Sequence, residues 1–324
     1  MAASARLPRH GRLDLGAALS NHPDMRDSVR VRVSRDLCGG ARPDFGGPAT
    51  AEDRDLFRYD VNAPLNLRKT VESTNAGVEV SRIAFSSPDG GLVTGRVTAP
   101  VTRPGPRPAM VLMHGIPGNA RAMTDIAQNY ARYGAVVLAI NAPFVRRGGP
   151  VRRFTAQDRA EQIQLIKDLQ RAVDVLRSRP DVDPDRIACM GVSWGGAMGA
   201  LFVGIERRLA AAALVVGHGG PVSHSTGPDG FKHIARVPCA RRVAWIQAMA
   251  PIEPIRFVGH ANAPLLLQNG TLDRLIPVAD AAELHAAAPQ PKTSLWYTAG
   301  HNLNQQAVAD RHAWLVETMG IDPM

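Results

Sequence analysis

Between residues 110 and 300 the chain carries six short runs that are apolar without interruption: "MVLMHG" (110–115), "AVVLAINAP" (135–143), "RIACMG" (186–191), "AAALVVG" (211–217), "PLLLQNG" (264–270) and "SLWYTAG" (294–300). A strand with one face in water alternates apolar and polar positions, whereas a continuous run fits a strand covered on both faces. Most of the intervening segments have a helical period instead, over roughly 121–133, 156–178, 194–206, 278–288 and 303–318. In the second of these Ile163, Ile166, Leu169, Val173 and Leu176 fall along one face, and "TAQD" (155–158) at its start has the spacing of a capping box. Strand alternating with helix predicts an α/β fold in which a mostly parallel central sheet has helices on both sides.

The pattern changes at both margins of this region. "GVEVSRIAF", "SPDG" and "GLVTGRVTAP" read as an antiparallel hairpin over 77–99. Residues 1–55 have no sustained period and read as an irregular N-terminal extension without function, leaving 56–324 as the main domain. The strand–helix rhythm breaks once, over 218–263, where a stretch mixing Gly, Pro, His and Arg suggests a small lid or cap; interruptions of that length are usually functional.

With 324 residues the chain can bury enough surface to need no metal or disulfide. Its three cysteines, Cys38, Cys189 and Cys239, are odd in number and widely spaced, which argues against both a disulfide framework and a zinc site and makes a reducing compartment the default. The first thirty residues are charged throughout and no apolar stretch reaches the 18 or so residues of a membrane span, so a cytoplasmic protein that binds no membrane is expected. The net charge of +9 raises the question of nucleic acid. The cations are spread along the whole chain, aromatics are only 5% of it, and no recognition motif is present, so nucleic acid is not expected as a partner.

The chemistry gathers at the ends of the apolar runs. "CMGVSWGG" (189–196) puts Ser193 between a strand and a helix, where a sharp turn flanked by Gly191 and Gly195 would lift its hydroxyl above the sheet edge. A serine hydroxyl needs a base to take its proton and an acid to orient that base. His301, in "AGHNL" after the last apolar run, and Asp273, in "GTLDRLIP" after the one before it, lie at the same edge and follow Ser193 in the order Ser, Asp, His. Asp229 in the lid is the alternative acid. Backbone N–H groups of Trp194, and of Ile116 in "HGIPGNA" (114–120), are the expected oxyanion donors. His114 is expected to be structural and His218 to line the pocket.

With these motifs in place, residues from about 77 to 318 resemble the α/β-hydrolases, and are similar to the branch holding dienelactone hydrolases, acetyl xylan esterases and prolyl-oligopeptidase-like enzymes. That resemblance implies an α/β-hydrolase fold and a serine hydrolase acting on a small-molecule acyl ester through an acyl-enzyme, without a cofactor or metal. Dienelactone hydrolases proper use cysteine where this chain has Ser193, and many relatives have aspartate at Asn141. A thioesterase or acyltransferase with the same residues, and a non-catalytic binding protein of this fold, are the alternatives. Finally, "FVRRGGPVRRF" and "CARRVAW" place Arg146, Arg147, Arg152, Arg153, Arg241 and Arg242 near the mouth of the expected pocket. Arg146 and Arg147 are the candidates for meeting an anionic substrate.

Overall fold

The computed structural model describes residue 38 and residues 43–101, 105–226 and 234–324. Among the described residues nine strands form one sheet in the order β1-β2-β3-β5-β4-β6-β7-β8-β9. They are β1 (Arg68–Asn75), β2 (Val78–Ser86), β3 (Leu92–Pro100), β4 (Arg107–Met113), β5 (Val136–Ile140), β6 (Val182–Val192), β7 (Ala211–Val215), β8 (Leu265–Gly270) and β9 (Lys292–Tyr297). The first three and the β3–β5 pair are antiparallel, and every pair from β5 through β4 to β9 is parallel. All six continuous apolar runs are therefore parallel strands. Their alternate residues enter different cores: Ala109, Val111 and Met113 of β4 pack on one face, Met110 and Leu112 on the other.

The helices are α1 (Ala51–Asp55), α2 (Thr124–Arg132), α3 (Pro143–Arg147), α4 (Ala156–Arg177), α5 (Trp194–Ile205), α6 (Pro221–Thr226), α7 (Cys239–Met249), α8 (Val278–Ala287) and α9 (Gln305–Met319). Residues of α4 and α5 belong to the first core and residues of α2 and α9 to the second. The face of α4 expected from the sequence is the one it presents, with Ile166, Leu169, Val173 and Leu176 buried and Ile163 partly so. No helix among the described residues is long and apolar enough to cross a membrane.

Four features differ from the sequence reading. β1 was not expected because all eight of its residues are exposed, so it carries no apolar alternation to read; it is held by its pairing with β2. Thr155 caps α4 through the Gln157 N–H, but Asp158 does not complete a capping box; it turns to the Arg153 and Phe154 N–H groups and to the indole N–H of Trp245. Cys38 and Cys239, expected to be free thiols, form a disulfide with Cα atoms 5.4 Å apart. They are 201 residues apart in the chain, and only the tertiary fold brings them together.

The fourth difference lies in the stretch read as irregular up to residue 55, of which residues 1–37 and 39–42 are outside the described part. Residues 51–55 form α1, capped by Thr50 in a full capping box with Asp53. Arg256 anchors this segment, donating to the Asp53 carboxylate at 2.8 Å and to the Gly47 carbonyl at 3.0 Å, while the Ala49 N–H donates to the Arg256 carbonyl at 2.7 Å. Asp53 and Arg256 are both buried. Removing one member of such a pair leaves the other charge buried without its partner. Arg256→Ala is expected to cost about 3–5 kcal/mol in urea denaturation, and Asp53→Asn, which keeps the shape, less.

Candidate active site

The parallel strands point their carboxyl ends the same way, so the loops after β4, β6, β7, β8 and β9 gather at one edge of the sheet. Ser193 lies between β6 and α5 with φ 59° and ψ −122°, a conformation that serine adopts only when its surroundings impose it. Its N–H donates to the Val215 carbonyl at 2.8 Å, and its own carbonyl accepts from the Gly196 N–H at 2.8 Å. A Cβ on Gly191 would overlap the Gly195 carbonyl, and one on Gly195 the Met113 carbonyl, so the turn can be this tight only with glycine at both positions.

His301, beyond β9, reaches both expected partners: its Nδ1 is 2.7 Å from Asp273 Oδ2 and its Nε2 is 2.9 Å from Ser193 Oγ. Asp273 follows β8, its side chain is fully buried, and its other oxygen accepts the Leu275 and Ile276 N–H groups at 2.8 and 3.0 Å. A carboxylate can only accept, so the imidazole proton sits on Nδ1 and Nε2 is left to accept the serine hydroxyl. Asp229, the alternative acid, lies outside the described residues.

The loop after β4 lies directly against the serine, because a Cβ on Gly115 would be 3.2 Å from Ser193 Cβ. Beneath it His114 is fully buried, with Nδ1 2.8 Å from the Gly115 carbonyl and Nε2 accepting the Ala142 N–H at 3.2 Å. Burial pushes its pKa down and keeps it neutral. Asn141 accepts the Ala120 N–H at 2.8 Å and donates to Thr94 Oγ at 2.9 Å, fixing the far end of the same loop. An aspartate there could accept the first of these but could not donate the second.

A narrow pocket borders Trp194, and Phe144, Val151, Arg152, Trp245 and Met249 line it. Trp245 and Met249 come from α7, in the long connection between β7 and β8. Asp158 ties that helix to the loop before α4 through its bonds to Phe154 and Trp245, at 2.7 and 2.8 Å. Sequence reasoning had not singled out Phe144, Val151, Trp245 or Met249, because aromatic and apolar side chains in a pocket look like core until the chain is folded.

The structure also sorts the arginines. Arg146 is paired with Asp168 at 2.5 Å and donates to the Leu92 carbonyl; Arg147 is paired with Glu161 and donates to the Pro150 carbonyl. Neither is available to a substrate in the way expected, since each is held by a partly or fully buried carboxylate. Arg241 donates to the Arg153 and Phe154 carbonyls and Arg242 to that of Cys38. Arg152 is the one that lines the pocket, with a hydrogen bond to Ser225 Oγ at 3.2 Å. His218, after β7, is buried with its Nδ1 3.1 Å from the Gly220 carbonyl and its ring 4.7 Å from that of His224. Burial, with His224 and Arg152 close by, drives its pKa well down.

The sequence model of the dienelactone hydrolase family matches residues 93–312. Among curated proteins, the uncharacterized protein YfhR of Escherichia coli is 27% identical over 161 residues, 50% of this chain and 53% of that protein, so the chain spans about half of its length. The uncharacterized protein Rv2307c of Mycobacterium tuberculosis is 28% identical over 222 residues, 68% of this chain and 72% of that protein. Among solved structures, an acetyl xylan esterase from a Paenibacillus species has a TM-score of 0.69 at 19% identity, covering 88% of this chain and 100% of its own. Acetyl xylan esterase 1 from a Thermoanaerobacterium species has a TM-score of 0.66 at 14% identity, covering 84% and 95%. At such identities the likeness is one of fold, and the fold is that of the α/β-hydrolases.

Close to the pocket, Glu253 is completely buried and accepts the Val222 and Ser223 N–H groups at the start of α6, at 3.2 and 2.8 Å. Burial pushes its carboxyl from 4.5 up to about 7. Between those values the folded protein holds a proton that the unfolded chain has released, so this group's contribution to stability falls as pH rises through the window. By about 1.4 kcal/mol for each pH unit the full effect is about 3 kcal/mol. Glu253→Gln, which cannot ionise, should therefore gain stability relative to wild type between pH 5 and pH 7.5; the difference between the two thermal denaturation profiles is the measurement.

Proposed function

Since the chain belongs to the dienelactone hydrolase family, we propose that it is a serine hydrolase that cleaves a carboxylic ester through an acyl-enzyme. The observation that carries this reading is the single His301 imidazole hydrogen-bonded at once to Asp273 and Ser193, at 2.7 and 2.9 Å. The names of the two esterases of like fold agree with it.

In this reading Ser193 Oγ attacks the ester carbonyl while His301 Nε2 takes its proton, and the same proton is then passed to the departing alcohol. Asp273 keeps the imidazole in the tautomer that can accept and stabilises the imidazolium that forms. The negative charge on the carbonyl oxygen is met by backbone N–H groups of Trp194 and Ile116, which are fixed by α5 and by the loop over His114. Water, deprotonated by His301, releases the acid. The acyl group occupies the pocket beside Trp194, where Arg152 gives a polar or negatively charged acyl terminus a guanidinium to meet.

Ser193→Ala should abolish ester turnover and covalent labelling by a fluorophosphonate with the thermal midpoint little changed. Labelling that persists would put the nucleophile elsewhere. Asp273→Asn should lower kcat by about ten-thousand-fold through the wrong tautomer, with a much smaller effect on KM. An added alcohol that gives a new ester faster than the acid appears would mark an acyltransferase.

For the pocket arginine, Arg152→Gln should lower kcat/KM for an ester with a carboxylate on its acyl part by about 10- to 100-fold, the range of a charge-assisted hydrogen bond, and leave the neutral analogue unchanged. Arg146→Gln, which breaks an ion pair away from the substrate, should lower stability without separating the two esters.

A further inference from the structure

Cys38 and the described residues from Pro43 to Phe57 grip the β7–β8 connection on either side of its longest helix. At the start of α7, Cys239 is bonded to Cys38, and one turn later Arg242 donates to the Cys38 carbonyl at 2.7 Å. Beyond the end of α7, Arg256 holds Gly47 and Asp53 through the contacts described above. The two anchors differ in chemistry. A guanidinium–carboxylate network is indifferent to redox conditions, whereas a disulfide opens when it receives two electrons. Between them α7 turns Trp245 and Met249 into the pocket beside Trp194.

The three cysteines differ just as clearly. Cys38 and Cys239 are both exposed and reachable by a thiol in solution. Cys239 is the first residue of an eleven-residue helix with Arg241 and Arg242 close behind it, a setting that favours thiolate and makes it the better leaving group. Cys189 lies fully buried in β6, where burial pushes its thiol up to about 12, so it takes no part in exchange.

We propose that the Cys38–Cys239 bond is a thiol–disulfide switch that sets how firmly α7, and with it the Trp245 wall, is held over the pocket. In the opening step a thiolate of a dithiol attacks Cys38 Sγ and Cys239 leaves as thiolate. The second thiol of the reagent then displaces Cys38, giving two protein thiols and one reagent disulfide. A disulfide reagent drives the reverse. With the bond closed the start of α7 is covalently held; with it open only hydrogen bonds remain there, from Arg241 to the Arg153 and Phe154 carbonyls and from Trp245 to Asp158, so the start of α7 is held less firmly while the Arg256 anchor is unchanged. That the affected wall bounds an acyl pocket rests on the serine hydrolase reading, but the change in α7 does not.

The test uses the full chain, oxidised with glutathione disulfide and then reduced with dithiothreitol. A non-reducing digest of the oxidised protein should yield the Cys38–Cys239 peptide pair with Cys189 free. Reduction should raise amide hydrogen exchange of α7 about tenfold or more without changing that of α9, and should raise KM for a short ester severalfold with kcat altered less than twofold. Cys38→Ser should match the reduced protein in both readouts and ignore dithiothreitol, while Cys189→Ala keeps the response. The proposal is overturned if the peptide pair never forms, or if it forms and opens with α7 exchange unchanged. If α7 responds but neither redox form hydrolyses any ester, the switch stands and the hydrolase reading falls.

Discussion

The site depends on one backbone constraint, the left-handed conformation of Ser193. A serine at φ 59° and ψ −122° costs on the order of 1–3 kcal/mol, and it persists only where neighbouring structure enforces it. Here the enforcement comes from three strands. Val215 of β7 accepts the serine N–H, Gly191 of β6 leaves room for the returning helix, and Gly195 lets that helix meet the end of β4. The hydroxyl is thus aimed by the sheet as a whole, and His301 needs only to arrive from β9 at the right height.

This explains which parts of the protein were legible in the sequence. The parallel strands were, because burial on both faces leaves an unbroken apolar run. Ser193, Asp273 and His301 were legible because each follows such a run at the same edge, so chain order and strand direction together predict their meeting. β1 was not, since an edge strand exposed at every residue has no hydrophobic period. Nor was the Cys38–Cys239 bond, because pairing across 201 residues depends on tertiary contact, and neither cysteine has a local motif.

Charge was the least legible property. A net +9 with clustered arginine pairs reads as a basic surface, yet several of these guanidiniums serve as internal fasteners. Arg146 meets Asp168, Arg147 meets Glu161, and Arg256 meets Asp53. Asp168 is so deeply buried that its carboxyl is pushed to about 6 even beside Arg146. Five donors in a planar fork allow one arginine to satisfy a carboxylate and nearby carbonyls together, which a lysine could do less well. The sequence gives the number of cations, but their partners are set by which loops the fold brings together.

His114, together with the Asn141 bond to Ala120, links two parts of the site. One ring nitrogen bonds to the Gly115 carbonyl and the other accepts the Ala142 N–H, while its ring lies 5.8 Å from Phe144 and 6.3 Å from Trp194. The loop after β4 and the loop after β5 are thereby one mechanical unit, joined through an imidazole that burial keeps neutral. A dipolar cradle built in this way is already oriented before any ligand enters, and solvent has little part in arranging it. In the proposed reaction, its field at the position of a developing oxyanion would consequently be a fixed property of the folded chain, with no reorganisation of these two loops required by the chemical step.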